Sequence, residues 1–507
     1  MASEQLYQPS DLLRFVDLGG GALVPGSSAV VYAANTLDGE TASKDTALWL
    51  ADSGEQRRLA PADAAQSRPS VSPDGSRVAF LQVQAGADGK DVTQLCVCPL
   101  AGGEMTVLTS FPRGTGPVGP AWSPDGRHLA VDASDAPPRD PELAYRVSRS
   151  IWRLDGMGLV DDKLTEIFVV PAAGGPAQRL TSEDGVVSFL HWSPDGTSIL
   201  FGTFGTADSA SYDIKIAQHP AGAIRSVTSA PFLAYTAVAA WLPDGRVVYN
   251  SPWQINRRID LIVFDPASGT QESRLPDSDG QLFGLMQAGF DSRAIEPRIV
   301  VDPSGEWAYV YIQKGGSMLT TRVALRGEIR AESLTEPSYS AVPLAVDGTR
   351  LLAIRTAHAE PANLVVIDTG TGATEAVTDL NAGWLTEMPF DVHHLIYPTT
   401  DGETEIEGWY LAPRQAAAPY PTVLHIHGGP FAAHGEIFNL DNLLLTAAGY
   451  GVLSVNFRAG SGYGDAHARM LIGDWGRFDL ADLLQGVDVA VERGLADGER
   501  VASFGLS

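Results

Sequence analysis

One turn recurs along the chain and limits what it can fold into. Ser72-Pro73-Asp74-Gly75, Ser123-Pro124-Asp125-Gly126, Ser193-Pro194-Asp195-Gly196 and Leu242-Pro243-Asp244-Gly245 are its strong copies. Asp302-Pro303-Ser304-Gly305, Val346-Asp347-Gly348 and Val24-Pro25-Gly26-Ser27 are weaker ones, which makes seven. Proline presets φ at the second turn position and glycine accepts positive φ, so the turn has a steric cause. Trp122, Trp192 and Trp241 each stand directly before a strong copy, and an alternating strand such as Arg77-Val78-Ala79-Phe80 follows. A second unit trails each turn: an apolar strand, a glycine turn and a strand ending near Leu-Thr. Its copies lie at 47–59, 95–109, 166–181, 214–228, 261–275, 319–335 and 364–378. The two counts of seven agree. Gly75, Gly126, Gly196 and Gly245 are 51, 70 and 49 residues apart, near the ~50 residues of a kelch-like blade. The repeats predict a seven-bladed β-propeller of four-stranded blades over 21–389. A stack of β-sandwiches has no need of seven similar hairpins.

The long interval between Gly126 and Gly196 holds Arg146–Asp162, with Leu154-Asp155-Gly156 inside it. It reads as a surface hairpin or as a loop reaching a substrate pocket. Before the repeats, residues 1–20 read as a short helical lead-in with Ser10 as N-cap.

Near Phe390 the pattern changes. Asp391–Tyr397 and Glu405–Ala412 read as paired strands, then strands at 422–425, 450–456 and 501–504 alternate with helices at 437–448 and 478–493. This is the first half of a doubly wound α/β sheet. Helical spacing places Leu480, Leu483, Leu484, Val487 and Ala490 or Val491 on the apolar face of the second helix.

Two stretches in this region carry chemistry. His425-Ile426-His427-Gly428-Gly429-Pro430 follows a buried strand, and a Gly-Gly loop there lets a backbone N–H approach an anion with no Cβ in the way. Arg500–Ser507 is a second buried strand running into Gly505-Leu506-Ser507, the opening of a nucleophile elbow. Ser507 is the candidate nucleophile. Gly428 and Gly429 are the candidate oxyanion-hole residues, the Gly429 N–H as donor and Gly428 shaping the loop. His425 and His427 lack a third ligand at metal spacing, so no metal and no cofactor is expected; the imidazoles read as braces of the loop. Arg458 reads as a salt-bridge residue before a substrate-facing cation. Asp479 and Asp482 read as solvated or internally paired.

These residues resemble those of a known family. The propeller turns, His427-Gly428-Gly429-Pro430, Asn456-Phe457-Arg458-Ala459-Gly460-Ser461-Gly462-Tyr463-Gly464, Asp474-Trp475-Gly476 and Gly505-Leu506-Ser507 are together similar to the prolyl oligopeptidase family of serine peptidases. The His-Gly-Gly-Pro form and the Leu154-Asp155-Gly156 hairpin resemble its acylaminoacyl-peptidase branch. The family usually has Gly at the position of Ala459, with little consequence expected. The resemblance implies an α/β-hydrolase domain at 390–507, a lead-in packed on it, and a propeller that restricts substrate size. It also implies hydrolysis of peptide or acyl-amide bonds in short substrates through a Ser-Asp-His triad.

Composition narrows the partners. A net charge of −26 excludes nucleic acid and anionic membrane as natural partners, and no apolar run approaches a membrane span. The two cysteines, Cys96 and Cys98, share one strand face and read as packed thiols of a cytoplasmic protein. All ten histidines lie at or before His467, none after Ser507. Residues 390–507 also fall short of the roughly 200–250 residues of a whole hydrolase domain. The acid and base are therefore expected beyond Ser507, with this chain alone inactive. Expected partners are short peptides or acyl-amide substrates, and either further copies as a homo-oligomer or a second chain carrying the rest of the hydrolase domain. A catalytically inactive propeller-based binding or scaffold protein is the alternative.

Overall fold

The computed structural model describes the chain except for residues 1–5, 41–43, 61–63, 86–90, 138, 141, 155–157, 207–208, 229–236, 252–258, 277–279, 288–294, 430 and 506–507. Seven antiparallel sheets succeed one another at 17–58, 66–107, 121–179, 186–226, 239–273, 281–333 and 340–376. They form a seven-bladed β-propeller. Each pair of neighbouring blades shares an apolar cluster. The last cluster closes the ring, where Leu344, Leu352, Ile354 and Leu364 of blade 7 meet Leu18, Leu23, Val30 and Tyr32 of blade 1.

The repeated residues build repeated contacts. The seven turn glycines, at 26, 75, 126, 196, 245, 305 and 348, have φ between 59° and 85°, the left-handed region that glycine adopts without a steric penalty. In blades 2, 3 and 4 the turn serine hydroxyl donates to the aspartate two residues on and accepts the N–H five residues on. The tryptophan indoles staple blade to blade. Trp122 Nε1 donates to Ser70 O at 2.9 Å, Trp192 Nε1 to Ala121 O at 3.1 Å and Trp241 Nε1 to His191 O at 3.2 Å. The threonines ending the second unit accept a backbone N–H from the strand beside them: Thr109 from Leu95, Thr181 from Ile167, Thr335 from Thr320 and Thr378 from Leu364. Cys96 and Cys98 are free thiols in the cluster between blades 1 and 2. Burial pushes their pKa values up to about 12 and about 11. In the long interval, Arg153–Leu154 pairs with Gly158–Leu159. The polar contacts around this hairpin run to the propeller, where Arg149 pairs with Asp161 and Asp184 and donates to Gly205 O. Asp155 and Gly156 lie outside the described residues.

The second region is a five-stranded sheet in the order Phe390–Pro398, Glu405–Pro413, Gly451–Asn456, Tyr420–Ile426, Ala496–Gly505. The first two pairings are antiparallel and the last two parallel. It is an incomplete α/β-hydrolase sheet. Leu440–Ala447 packs with Leu411 and Val452 on one face, and Phe478–Glu492 with Leu453 and Val455 on the other. The 3-10 turn of the lead-in starts at Pro9, whose fixed φ suits a first helical position, so Ser10 lies inside it rather than capping it. Tyr7 and Phe15 pack with Phe438 and Leu443.

The Phe478–Glu492 helix is rotated from the expected face. Asp482, Leu483, Gly486 and Ala490 are its buried residues, while Leu480 and Leu484 are 53% and 54% exposed. Two contacts set the rotation. Asp482 is drawn inward by Arg458. A Cβ at Gly486 would lie 2.6 Å from Tyr397 Oη, so glycine lets the helix sit close to the sheet. The last strand is exposed from Gly498 to Gly505.

Candidate active site

The His427-Gly428-Gly429 loop leaves the C-terminal end of Tyr420–Ile426. That strand runs parallel to Ala496–Gly505, with Leu424 opposite Ser503, His425 opposite Phe504 and Ile426 opposite Gly505. The two strands therefore end together at one edge of the sheet, the place where sites form on parallel sheets. Ser507 lies outside the described residues.

Three buried imidazoles underlie the loop. His425 and His434 have ring centroids 4.8 Å apart, and His427 and His434 5.3 Å. His434 Nε2 donates to His425 O at 2.9 Å, and His425 Nδ1 pairs with Asn442 Oδ1 at 3.0 Å. His427 stacks on Phe457, with centroids 4.2 Å apart and planes 7° off parallel. Its Nδ1–H donates to Gly428 O at 3.1 Å, and Nε2 is a buried lone pair without a partner. Burial lowers the His427 pKa to about 4, and that of His434 well below its ordinary value. Burial holds the basicity of these rings below that of a free imidazole, which suits braces and not a general base. Among the described residues no group of histidine, cysteine and acidic side chains is placed to hold a metal ion.

Gly429 is exposed, with φ +118°. A Cβ there would lie 2.6 Å from Ala432 N, so the loop needs glycine for both reasons. Beside it, Gly428 N–H donates to the side-chain oxygen of Gln287, a propeller residue. Motif reading had no means of finding Gln287, which lies 141 residues upstream and outside any repeat.

Blade 6 supplies the rest of the seam. Its segment Leu285–Met286 pairs in parallel with Ala432–Ala433. Gly316 and Gly435 meet back to back, and a Cβ on Gly435 would lie 1.9 Å from Gly316 O. Glu407 joins the two regions. It accepts from Gly316 N at 3.0 Å and Tyr463 Oη at 2.5 Å, and pairs with His394 Nε2 at 2.7 Å. A cavity of about 110 Å³ lies beside the loop, its walls including Phe283, Leu285, Met286, Ile295, Tyr311 and Phe431.

Arg458 is structural. It is 1% exposed and donates to Asp482 through Nε at 2.9 Å and Nη2 at 2.8 Å, and to Asp401 through Nη1 at 2.6 Å. The bond to Asp482 and the nearby charges hold its pKa well above the usual value. Ala459 is buried with φ +74°, a conformation that costs a non-glycine residue about 1 kcal/mol or more.

Comparison with known proteins agrees with this architecture. The prolyl oligopeptidase family profile matches residues 437–507. An uncharacterized peptidase of Bacillus subtilis, YuxL, is 24% identical over 97% of this chain and 76% of its own length. Dipeptidyl-peptidase 5 of Porphyromonas gingivalis is 23% identical over 96% of this chain and 73% of its own. The solved structure of Pyrococcus horikoshii acylaminoacyl peptidase superposes with a TM-score of 0.78 at 19% identity, covering 98% of this chain and 74% of that one. No described helix is long and apolar enough to cross a membrane. Residues 437–507 thus match the prolyl oligopeptidase family, and over nearly its whole length the chain is similar to peptidases and shares their propeller-plus-hydrolase architecture.

Proposed function

We propose that this chain carries the nucleophile, the oxyanion loop and the size-limiting propeller of a serine peptidase acting on peptide or acyl-amide bonds of short substrates. The parallel pairing that ends at Ile426 and Gly505 carries this reading. On this reading Ser507, two residues on in the sequence, is the nucleophile that works with the Gly428–Gly429 loop. Ser507 attacks the carbonyl carbon, and the Gly429 N–H stabilises the developing oxyanion. The apolar cavity beside Phe431 suits an apolar side chain or acyl group of the substrate. Acylaminoacyl-peptidase and dipeptidyl-peptidase specificities both fit such a site.

The described imidazoles near the loop are held by Asn442 and by backbone carbonyls, and burial makes His427, whose Nε2 has no partner, too weak a base to take the serine proton. An unassisted serine hydroxyl stays protonated and weakly nucleophilic. On this reading the acid and base come from polypeptide that adds to the exposed Gly498–Gly505 strand. The 507-residue chain alone then binds substrate without turning it over. The same commitment of the histidines favours a second reading, a propeller-based binding or scaffold protein with a degenerate hydrolase part.

A fluorophosphonate probe separates the two. Labelling of Ser507 in the polypeptide carrying the whole hydrolase domain, lost in Ser507→Ala, supports the peptidase. A folded protein that is never labelled and cleaves no acyl-peptide amide supports the scaffold.

A further inference from the structure

The propeller reaches into the oxyanion loop at one point. Gln287 follows the segment Leu285–Met286, which pairs in parallel with Ala432–Ala433. Its own N–H donates to Ala433 O at 2.8 Å, and Ser461 Oγ donates to Leu285 O at 3.0 Å. The Gln287 backbone is therefore held by the hydrolase sheet's own loops, and its carboxamide oxygen accepts the Gly428 N–H.

Two consecutive peptide units are fixed in this way. The unit between His427 and Gly428 is held through its N–H by Gln287. The unit between Gly428 and Gly429 is held through its carbonyl by His427 Nδ1. In a trans peptide the C=O and N–H point in opposite directions. Tying Gly428 O back to the imidazole therefore turns the Gly429 N–H outward. With no Cβ on either glycine, little else resists rotation of these units. A loop held only through His427 could turn about the Gly428 dihedrals, and the N–H would lose its aim.

We infer that Gln287 is a positioning residue of the oxyanion hole, through which the sixth blade sets the orientation of the Gly429 N–H. The inference rests on the proposed hydrolytic reading for its consequence, but not for its geometry. Preorganised donors act because they need no reorganisation as charge develops. A propeller that shifts away from the sheet would withdraw the carboxamide and disarm the donor.

Two measurements on Gln287→Ala and Gln287→Glu test it; the second variant keeps an acceptor oxygen. In the 507-residue chain, amide hydrogen exchange at Gly428 should speed up at least several-fold in Gln287→Ala and stay near wild type in Gln287→Glu. In the polypeptide carrying the whole hydrolase domain, Gln287→Ala should lower kcat for an acyl-peptide amide about 10- to 100-fold with KM nearly unchanged, since the lost interaction acts in the transition state. Gln287→Glu should recover most of that loss. Unchanged Gly428 exchange in Gln287→Ala overturns the inference. So does a rise in kcat, which would mean that the carboxamide occupies the oxyanion's own place. A wild-type protein never labelled at its serine would sink the hydrolytic reading, while the exchange measurement would still decide whether Gln287 holds the loop.

Discussion

The propeller and the hydrolase sheet are stabilised in different ways. The propeller repeats a small set of local contacts: a serine–aspartate turn, an indole staple to the preceding blade, a threonine clamp and an apolar cluster per interface. Losing one copy leaves the others. The hydrolase sheet depends on single contacts between distant residues, among them Arg458 with Asp482, the three buried imidazoles, and Glu407 with Gly316 and Tyr463. Each occurs once and is buried or partly buried, so each is costly to break. The difference teaches where this chain is tolerant to change and where it is not.

The sharpest way to break the comparison is to unpair a buried charge in the sheet. Asp482→Ala leaves Arg458 buried with Asp401 as its remaining partner, and should cost about 3–5 kcal/mol. Calorimetry should show the hydrolase transition moving down while the propeller transition stays. A propeller that melts with it would mean that the two regions form one cooperative unit.

Acid should weaken both regions, since desolvation also lowers the pKa values of His191 and His358 in the propeller to about 4, with the hydrolase region contributing three more such groups. Burial lowers the pKa values of His427 and His467 to about 4 and that of His434 further. Because the unfolded chain binds more protons than the folded one between about pH 4 and 6.5, stability rises with pH across that window and is lost on acidification. The slope is up to about 1.4 kcal/mol per pH unit for each such group. Glu436 works oppositely. Burial raises its pKa to about 7, so the stability it contributes is full below its ordinary range and lost as pH rises through about 7. Denaturant midpoints between pH 4 and 8 should show both limbs, and Glu436→Gln should flatten the alkaline one.

Within the sheet region, neighbouring leucines test the helix rotation. Leu483→Ala should cost about 2–4 kcal/mol, and Leu484→Ala under about 1 kcal/mol, since Leu483 is 7% exposed and Leu484 54%. Equal losses in urea titrations would mean that the helix sits as its apolar spacing alone suggests.

A single propeller staple should matter less. Trp192→Phe removes one indole bond to Ala121 O and should cost about 1 kcal/mol, with blades 3 and 4 still paired by circular dichroism. The smallest effect is expected at Ala459→Gly. Release of left-handed strain, about 1 kcal/mol, opposes loss of a buried methyl worth about 0.8 kcal/mol. The net change should be within about 0.5 kcal/mol, read as the urea midpoint.

Much of the propeller was legible because each blade repeats its residue types at the same places, and a turn with Pro and Gly has a local steric cause. The Gly-Gly loop and its strand were legible for the same reason: glycine and a short apolar run act within a few residues. The rotation of the Phe478–Glu492 helix was not, because Arg458 and Asp482 are 24 residues apart, and only their meeting in the core overrides the apolar stripe. Nor was the partner of Gly428, since nothing in the motif marks a glutamine in blade 6. By itself the sequence determined the ring of blades, the alternation of strands and helices after Phe390 and the glycine loop, all of which follow from short-range sterics and burial. Tertiary structure alone decided which buried polar groups meet across the seam, because those pairings depend on how two separately encoded regions are packed together.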